Sequence, residues 1–387
     1  MIVTVKRLIE QVRHLDITLL AGENGMDQQV TWCQLVESIP ATSFLNGYEI
    51  ALCTGIGIKS ADEMLSYVKA LKKNKASAVL LNIGPYIESV PESVIDYCNS
   101  VDMPLFEVPW KVHLAEMLRI FTYTINREDR NQVEIAATFE NAISFHSQEE
   151  LYMISLRTHG YDPSWRYTVI LLDLNQGHSV SDVESDKIIR ILSQALERKW
   201  KNYCIFVFNG HFTLVTGNYN RQELHDFVDD VKRYLKLIPD SQNAVIGVGK
   251  ITKSIRCLYK SYNQAAAVQK LQIRGKVPAD DIYYEDMGVY KILMNVSDDE
   301  ILNDYIENSI QPLIDYDKKN NMDTVKILRT YLEHNGSVQE TADILFVHRN
   351  TINYRLNKIR ELTGMDLSDF KCRLQLQTAL MILDVRE

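Results

Sequence analysis

Leu345-Phe-Val-His-Arg-Asn-Thr-Ile-Asn-Tyr-Arg-Leu356, continuing as Asn357-Lys-Ile-Arg-Glu-Leu-Thr-Gly364, is the stretch on which the reading of this 387-residue chain turns. Ile352, Leu356, Ile359 and Leu362 recur at helical spacing, so a helix starts near His348 or Arg349 and ends at Gly364. Upstream, Thr324–His334 reads as a helix closed by Asn335-Gly336. Ser337-Val-Gln-Glu340 then fits a capping box that opens a short helix running to Leu345. A tight turn follows at Phe346-Val347, and a last helix runs from about Leu367 to Leu383. Two helices joined by such a turn form a helix-turn-helix when a small residue sits at their crossing and apolar residues anchor the second helix. Ala342 is the small residue, Ile352 the anchor, and Val347 fills the turn. The position four after Ala342, often glycine in such turns, is Phe346. The bland alternative is an ordinary three-helix packing unit.

Charge favours the sharper reading. Between Phe346 and Arg360 stand four cations (Arg349, Arg355, Lys358, Arg360) and no acid, a local +4 in a chain of net charge −9. That overall balance, 42 Lys+Arg against 51 Asp+Glu, excludes a protein coated in basic surface, yet it leaves room for one small DNA-binding module. Arginine forks onto guanine and asparagine pairs with adenine edges, so Arg349, Asn350 and Asn353 are the expected base readers. Thr351, Tyr354, Arg355 and Lys358 are expected on phosphates, with Ser337, Gln339 and His348 completing the DNA-binding set.

Further out, the first 125 residues alternate strand and helix: Tyr48–Cys53, a helix with Met64, Leu65, Val68 and Leu71 on one stripe, Ala78–Ile83, a helix opened by Pro91, and a strand at Pro104–Pro109. That order implies a largely parallel sheet. From Leu114 to Arg157 there is neither proline nor glycine, which fits surface helices or a connecting helix that helps two protomers pair. A second domain starts near Trp165, with a β-α-β-β-α-β order and a hairpin across Asn209-Gly210. The expected division is an α/β domain at 1–125, a helical linker at 126–160, a ferredoxin- or cyclase-like α+β domain at 161–297, a linker at 298–320, and an all-α DNA-binding domain at 321–387.

The run Leu345–Gly364 resembles the helix-turn-helix signature of the PucR/CdaR family of bacterial transcriptional regulators. The stretch Gly47-Tyr-Glu-Ile-Ala-Leu-Cys-Thr-Gly55 is similar to that family's purine-catabolism-regulator domain. Gly247-Val-Gly249 and Ser261-Tyr-Asn-Gln-Ala265 are similar to its degenerate GGDEF-like domain. The resemblance implies a cytoplasmic regulator, commonly an activator, of operons for purine, amino-acid or sugar-acid catabolism. It implies double-stranded DNA, a small-molecule effector and a second copy of the chain as partners, with RNA polymerase a further candidate. A bulky residue at the Phe346 position is usual in that family.

Enzymatic alternatives fare poorly. A nucleotide cyclase needs a Gly-Gly-Asp/Glu-Glu-Phe hairpin to hold metal and nucleotide, whereas Phe208-Asn-Gly-His-Phe212 has one glycine and no carboxylate. A metabolite-binding or nucleotide-processing enzyme built on this domain is therefore disfavoured. Neither Gly55-Ile-Gly57 nor Gly247-Val-Gly249-Lys250 completes a nucleotide-binding fingerprint. The first still lies on a strand-to-helix turn, where free amides can hold an anion, which makes Thr54, Gly55, Gly57 and Ser60 the candidate effector residues against the simpler reading of a tight turn. The six cysteines are scattered and no histidines pair at ligand spacing, so no metal, cofactor or disulfide is expected. No apolar run approaches the roughly 18 residues of a membrane span.

Overall fold

The computed structural model describes residues 3–174, 181–238, 241, 244–296 and 298–386. The chain divides into two compact units, one comprising Met1–Tyr167, His178–Gln242 and Lys253–Tyr259, the other Thr168–Gly177, Asn243–Thr252 and Lys260–Glu387.

The first unit opens with α1 (Val5–Gln11), β1 (Thr18–Ala21), β2 (Trp32–Leu35), β3 (Glu49–Cys53), α2 (Ala61–Lys73), β4 (Ala78–Ile83), α3 (Glu92–Ser100), β5 (Leu105–Pro109) and α4 (Leu114–Ser144). Five strands form one sheet in the order β1-β5-β4-β3-β2, parallel except for antiparallel β1. Every residue of β3 is buried because the sheet is covered on both faces. Ala51 and Cys53 face α2 and α3, while Ile50 and Leu52 face α1 and α4. Pro91 stands one residue before α3, as its N-cap, instead of inside the first turn.

With no helix breaker in its sequence, α4 runs 31 residues without interruption. Its first turns bury Leu114, Met117, Phe121 and Ile125 against the parallel sheet. Its last turns bury Phe139, whose ring meets Tyr161 edge-on at 5.1 Å. The boundary expected after residue 125 therefore falls inside one continuous helix. The unit also contains α5 (Met153–Thr158), α6 (Asp182–Leu196), the hairpin β7 (Tyr203–Phe208) with β8 (His211–Gly217), and α7 (Arg221–Leu235). Strand β6 (Tyr167–Asp173) precedes α6, and β9 (Val245–Val248) follows α7, so the β-α-β-β-α-β order holds. The hairpin turns at Asn209 (φ 50°) and Gly210 (φ 79°), the left-handed pair that matches strand twist.

In the second unit β6 and β9 pair antiparallel, with Ile170 opposite Val248. Helix α8 (Leu258–Ile273) lies so close to β9 that a Cβ at Gly247 would overlap the Ala265 carbonyl, and one at Gly249 the Ser261 carbonyl. The glycine pair that superficially resembles a phosphate loop is thus a strand–helix packing device. Then follow α9 (Tyr290–Leu293), α10 (Asp299–Glu307), α11 (Gln311–Asn320), α12 (Thr324–Glu333), α13 (Val338–Ile344), α14 (Arg349–Thr363) and α15 (Phe370–Arg386). The stretch 298–320, expected as a linker, is two helices. Leu302, Ile306, Ile310 and Leu313 bury one stripe in the same core as Ile352, Ile359 and Leu380. The many polar residues of that stretch are its solvent face.

A buried ionic cluster closes this core. Asp384 near the end of α15 is fully buried and receives Arg329 of α12 in a bidentate pair (2.8 and 2.9 Å). Lys276 Nζ lies 2.9 Å from the same carboxylate, and the Tyr290 hydroxyl donates to it at 2.8 Å. Burial pushes the Asp384 carboxyl up, but the hydrogen bonds from Arg329, Lys276 and Tyr290 outweigh it and hold the group below its ordinary value.

Candidate nucleic-acid interface

Helices α13 and α14 cross where Ala342 is 2 % exposed, and Ile352 and Ile359 at 0 % seat α14 in the core. The small residue and the anchor occupy the expected places. Ser337 caps α13, its hydroxyl accepting from the Glu340 amide at 3.3 Å. The return half of the capping box is replaced: the Ser337 amide donates to the His334 carbonyl at 2.9 Å. Gln339 is exposed and spends its amide on Asp343, one turn along the same helix, at 3.0 Å.

The turn explains itself through Phe346. Its φ of +53° is the left-handed conformation for which glycine is the usual choice. The Val347 amide closes the turn on the Ala342 carbonyl at 3.0 Å, although the Val347 side chain is exposed instead of filling the turn. His348 is the N-cap of α14, and its Nδ1 accepts from the Asn350 amide at 3.2 Å. That commits one ring nitrogen to the protein.

Past the cap, α14 sorts its residues by face. Ile352, Leu356 and Ile359 are buried, while Arg349, Asn350, Thr351, Asn353 and Tyr354 are exposed together. Among the described residues no hydrogen bond or ion pair engages the side chains of Arg349, Asn350 or Asn353. The other cations of the run are already engaged. Arg355 is half-buried with Nη1 2.9 Å from the Met322 sulfur. Lys358 pairs with Glu361 at 3.0 Å, which raises its pKa, and lies 5.8 Å from the centre of the Tyr316 ring. Arg360 lies 3.5 Å from Asp366. The local +4 of the linear window is thus partly neutralised by Glu361 and Asp366, which follow it in the chain. Asn357, not among the residues expected from the sequence, shares the exposed side of α14. It is exposed one turn beyond Asn353, and that four-residue spacing was the available signal.

The candidate effector turn is built differently from its expectation. The Glu37 carboxylate takes the Thr54 amide at 3.1 Å and the Thr54 hydroxyl at 2.9 Å. The Gly55 amide points at Cys53 Sγ (3.3 Å), Gly57 packs against the Glu37 carbonyl, and Ser60 caps α2 through the Glu63 amide. The amides at Thr54 and Gly55 are therefore not free for an external anion. A different concavity lies between α1 and α4, lined by Arg7, Arg119, Tyr123, Arg127, Glu128 and Asn131. Arg7 is held by Glu128 at 2.7 Å. Arg119, Tyr123, Arg127 and Asn131 fall every fourth residue on α4, a stripe legible in the sequence but not read there. Among the described residues no cluster of His, Cys, Asp and Glu suits a metal ion, and no helix is long and apolar enough to cross a membrane.

Comparison with known proteins adds three family matches in chain order. Residues 8–125 match the purine catabolism regulatory protein-like family, 147–271 the GGDEF-like domain, and 324–382 the PucR C-terminal helix-turn-helix domain. The proline-responsive transcriptional activator PutR of Bacillus subtilis is 26% identical over 246 residues, 62% of this chain and 59% of that protein. The carbohydrate diacid regulator of Escherichia coli is 30% identical over 43% of this chain and 41% of its own length. The purine catabolism regulatory protein of Bacillus subtilis is 34% identical over 35% and 25% respectively. The chain thus matches less than two thirds of the length of each. Among solved structures, a regulator of polyketide synthase expression from Bifidobacterium adolescentis covers 65% of this chain and 92% of its own, with 18% identity and a TM-score of 0.30.

Proposed function

We propose that this chain, which carries the domain set of the PucR/CdaR-type regulators in its order, is an effector-responsive DNA-binding transcription regulator that activates a catabolic operon. The observation that carries the reading is the uncommitted row Arg349, Asn350 and Asn353 on the exposed side of α14, a helix whose opposite side is locked into a core. A reading helix must present free forks to base edges without shifting under them. Arg349, Asn350 and Asn353 read bases. Thr351 and Tyr354 reach phosphates, and Arg355 and Lys358 contribute mainly by supporting the helix and by adding field. His348 and Ser337 set the helix starts, and Gln339 lies on the adjoining exposed surface.

A homodimer or larger homo-oligomer places two such helices on paired half-sites. The protein works in the cytoplasm with RNA polymerase as its downstream partner, and it performs no catalysis. Its effector is small; the arginines between α1 and α4 favour an anionic one, in keeping with a relative named for carbohydrate diacids. In vitro selection from random duplex DNA tests the reading, followed by anisotropy titrations at several salt concentrations. The selected sequences are expected to hold a repeated half-site, and Arg349→Ala to weaken binding about tenfold or more, the effect of losing one bidentate base contact. No enrichment, or an Arg349→Ala titration that overlays the wild type, refutes it.

A further inference from the structure

Phe346 combines two features that folding alone disfavours. Its backbone sits at φ +53°, and its side chain is 94 % exposed, more than any other large apolar side chain among the described residues. Ten non-glycine residues among the described ones have positive φ, and seven of them are aspartate or asparagine, whose short polar side chains tolerate that conformation. An aromatic ring gains nothing locally there, since it packs on no core and buries no surface. Glycine would make the same turn without strain, and the turn is held by backbone bonds from Phe346 to the Asp343 carbonyl and from Val347 to the Ala342 carbonyl. The ring is therefore dispensable to the turn's geometry.

Its surroundings say what it meets. Phe346 stands three residues before Arg349, next to the cap of α14, and no acidic residue occurs from Phe346 to Arg360. Ile344 and Val347 beside it are also exposed, at 44 % and 41 %. A small apolar knob thus adjoins the polar row at the amino end of α14, where a reading helix enters the major groove. The one apolar group that base pairs display in that groove is the thymine C5-methyl.

We propose that Phe346 is a specificity-determining residue that packs its ring on a thymine methyl at the flank of each half-site. The inference rests on the DNA-reading function proposed above. It makes one substitution act in opposite directions on folding and on binding.

The test uses the full-length protein, its selected operator, an unrelated duplex, and operators in which single thymines are replaced by deoxyuracil. Phe346→Gly is expected to leave hydrogen-exchange protection of α13 and α14 equal or higher. Operator binding should weaken about tenfold, with affinity for the unrelated duplex within twofold of wild type and an unchanged salt slope, because no cation is lost. One deoxyuracil position should weaken the wild type and leave Phe346→Gly indifferent. The proposal is overturned if Phe346→Gly binds the operator as wild type does, or if no deoxyuracil position discriminates the two. It is equally overturned if sedimentation shows that the variant has lost self-association and higher protein concentration restores binding, which would make Phe346 a protein contact. If Arg349→Ala weakens binding and Phe346→Gly does not, this inference alone falls. If the wild type selects no DNA, the DNA-reading function falls with it.

Discussion

Asp384 offers the sharpest physical test of how the carboxy-terminal helices are held. Its carboxylate is fully buried, while the side chains of Arg329 and Lys276 that clasp it remain 24 % and 20 % exposed. Asp384→Asn preserves shape and removes one charge, which leaves two cations facing a neutral amide. Breaking a buried pair in this way costs roughly 3–5 kcal/mol, and the partial exposure of both cations places the expectation near the low end, about 3 kcal/mol. Local opening of α12 and α15 becomes easier by that amount, so native-state hydrogen exchange of their amides should accelerate roughly 150-fold, measured peptide by peptide on the intact chain. A second variant separates mechanism from mere contact loss. Replacing the group with apolar residues of similar size, Asp384→Leu with Arg329→Met and Lys276→Met, removes the stranded charges and should be less damaging than Asp384→Asn alone. The pH dependence carries a sign. A carboxyl whose folded pKa is depressed contributes stability that is present above its unfolded value and lost as pH falls through the folded one, so the wild type should lose protection of α12 and α15 below about pH 4, with a flatter profile in Asp384→Asn. Asp384→Asn exchange within threefold of wild type, or a triple variant more labile than the single, would refute the reasoning.

Two further outcomes test the scaffold. Gly249→Ala drives a methyl into the Ser261 carbonyl of α8, backbone that cannot step aside, and should destabilise the middle of the chain by about 1–3 kcal/mol, read as a shifted denaturant midpoint. Burial, with the Glu37 charge beside it, pushes the Cys53 thiol up to about 12, and burial does the same for Cys98 and Cys204. At pH 8 these three should resist iodoacetamide until the protein unfolds, while half-buried Cys257 and Cys372 label first; equal rates on mass analysis would contradict the buried placement.

Much of the architecture was legible because local rules and the final fold agreed. Strand β4 lies where its apolar run placed it, the hairpin turns at Asn209-Gly210, and α14 stops at Gly364 with φ 69°. The departure at 298–320 has a simple cause, which is that polarity along the chain does not say which side of a helix is covered. The 298–320 stretch looks like a linker by composition, yet a stripe every three or four residues was enough to build two helices into the core. The absence of proline and glycine announced helix from Leu114 onward, but its unbroken length follows from what each end packs against.

The sequence by itself determined the period of the elements, the small-residue crossing at Ala342, the tight turn at Phe346-Val347 and a cation-rich helix after it, because each depends on residues within a few positions of one another. Only the tertiary structure decided which of those groups remain free. It assigned Arg355, Lys358 and Arg360 to Met322, Glu361 and Asp366, left Arg349 and Asn353 uncommitted, and filled the Thr54 turn with the carboxylate of Glu37. Availability for a ligand depends on neighbours brought close by folding, and linear spacing carries no record of them.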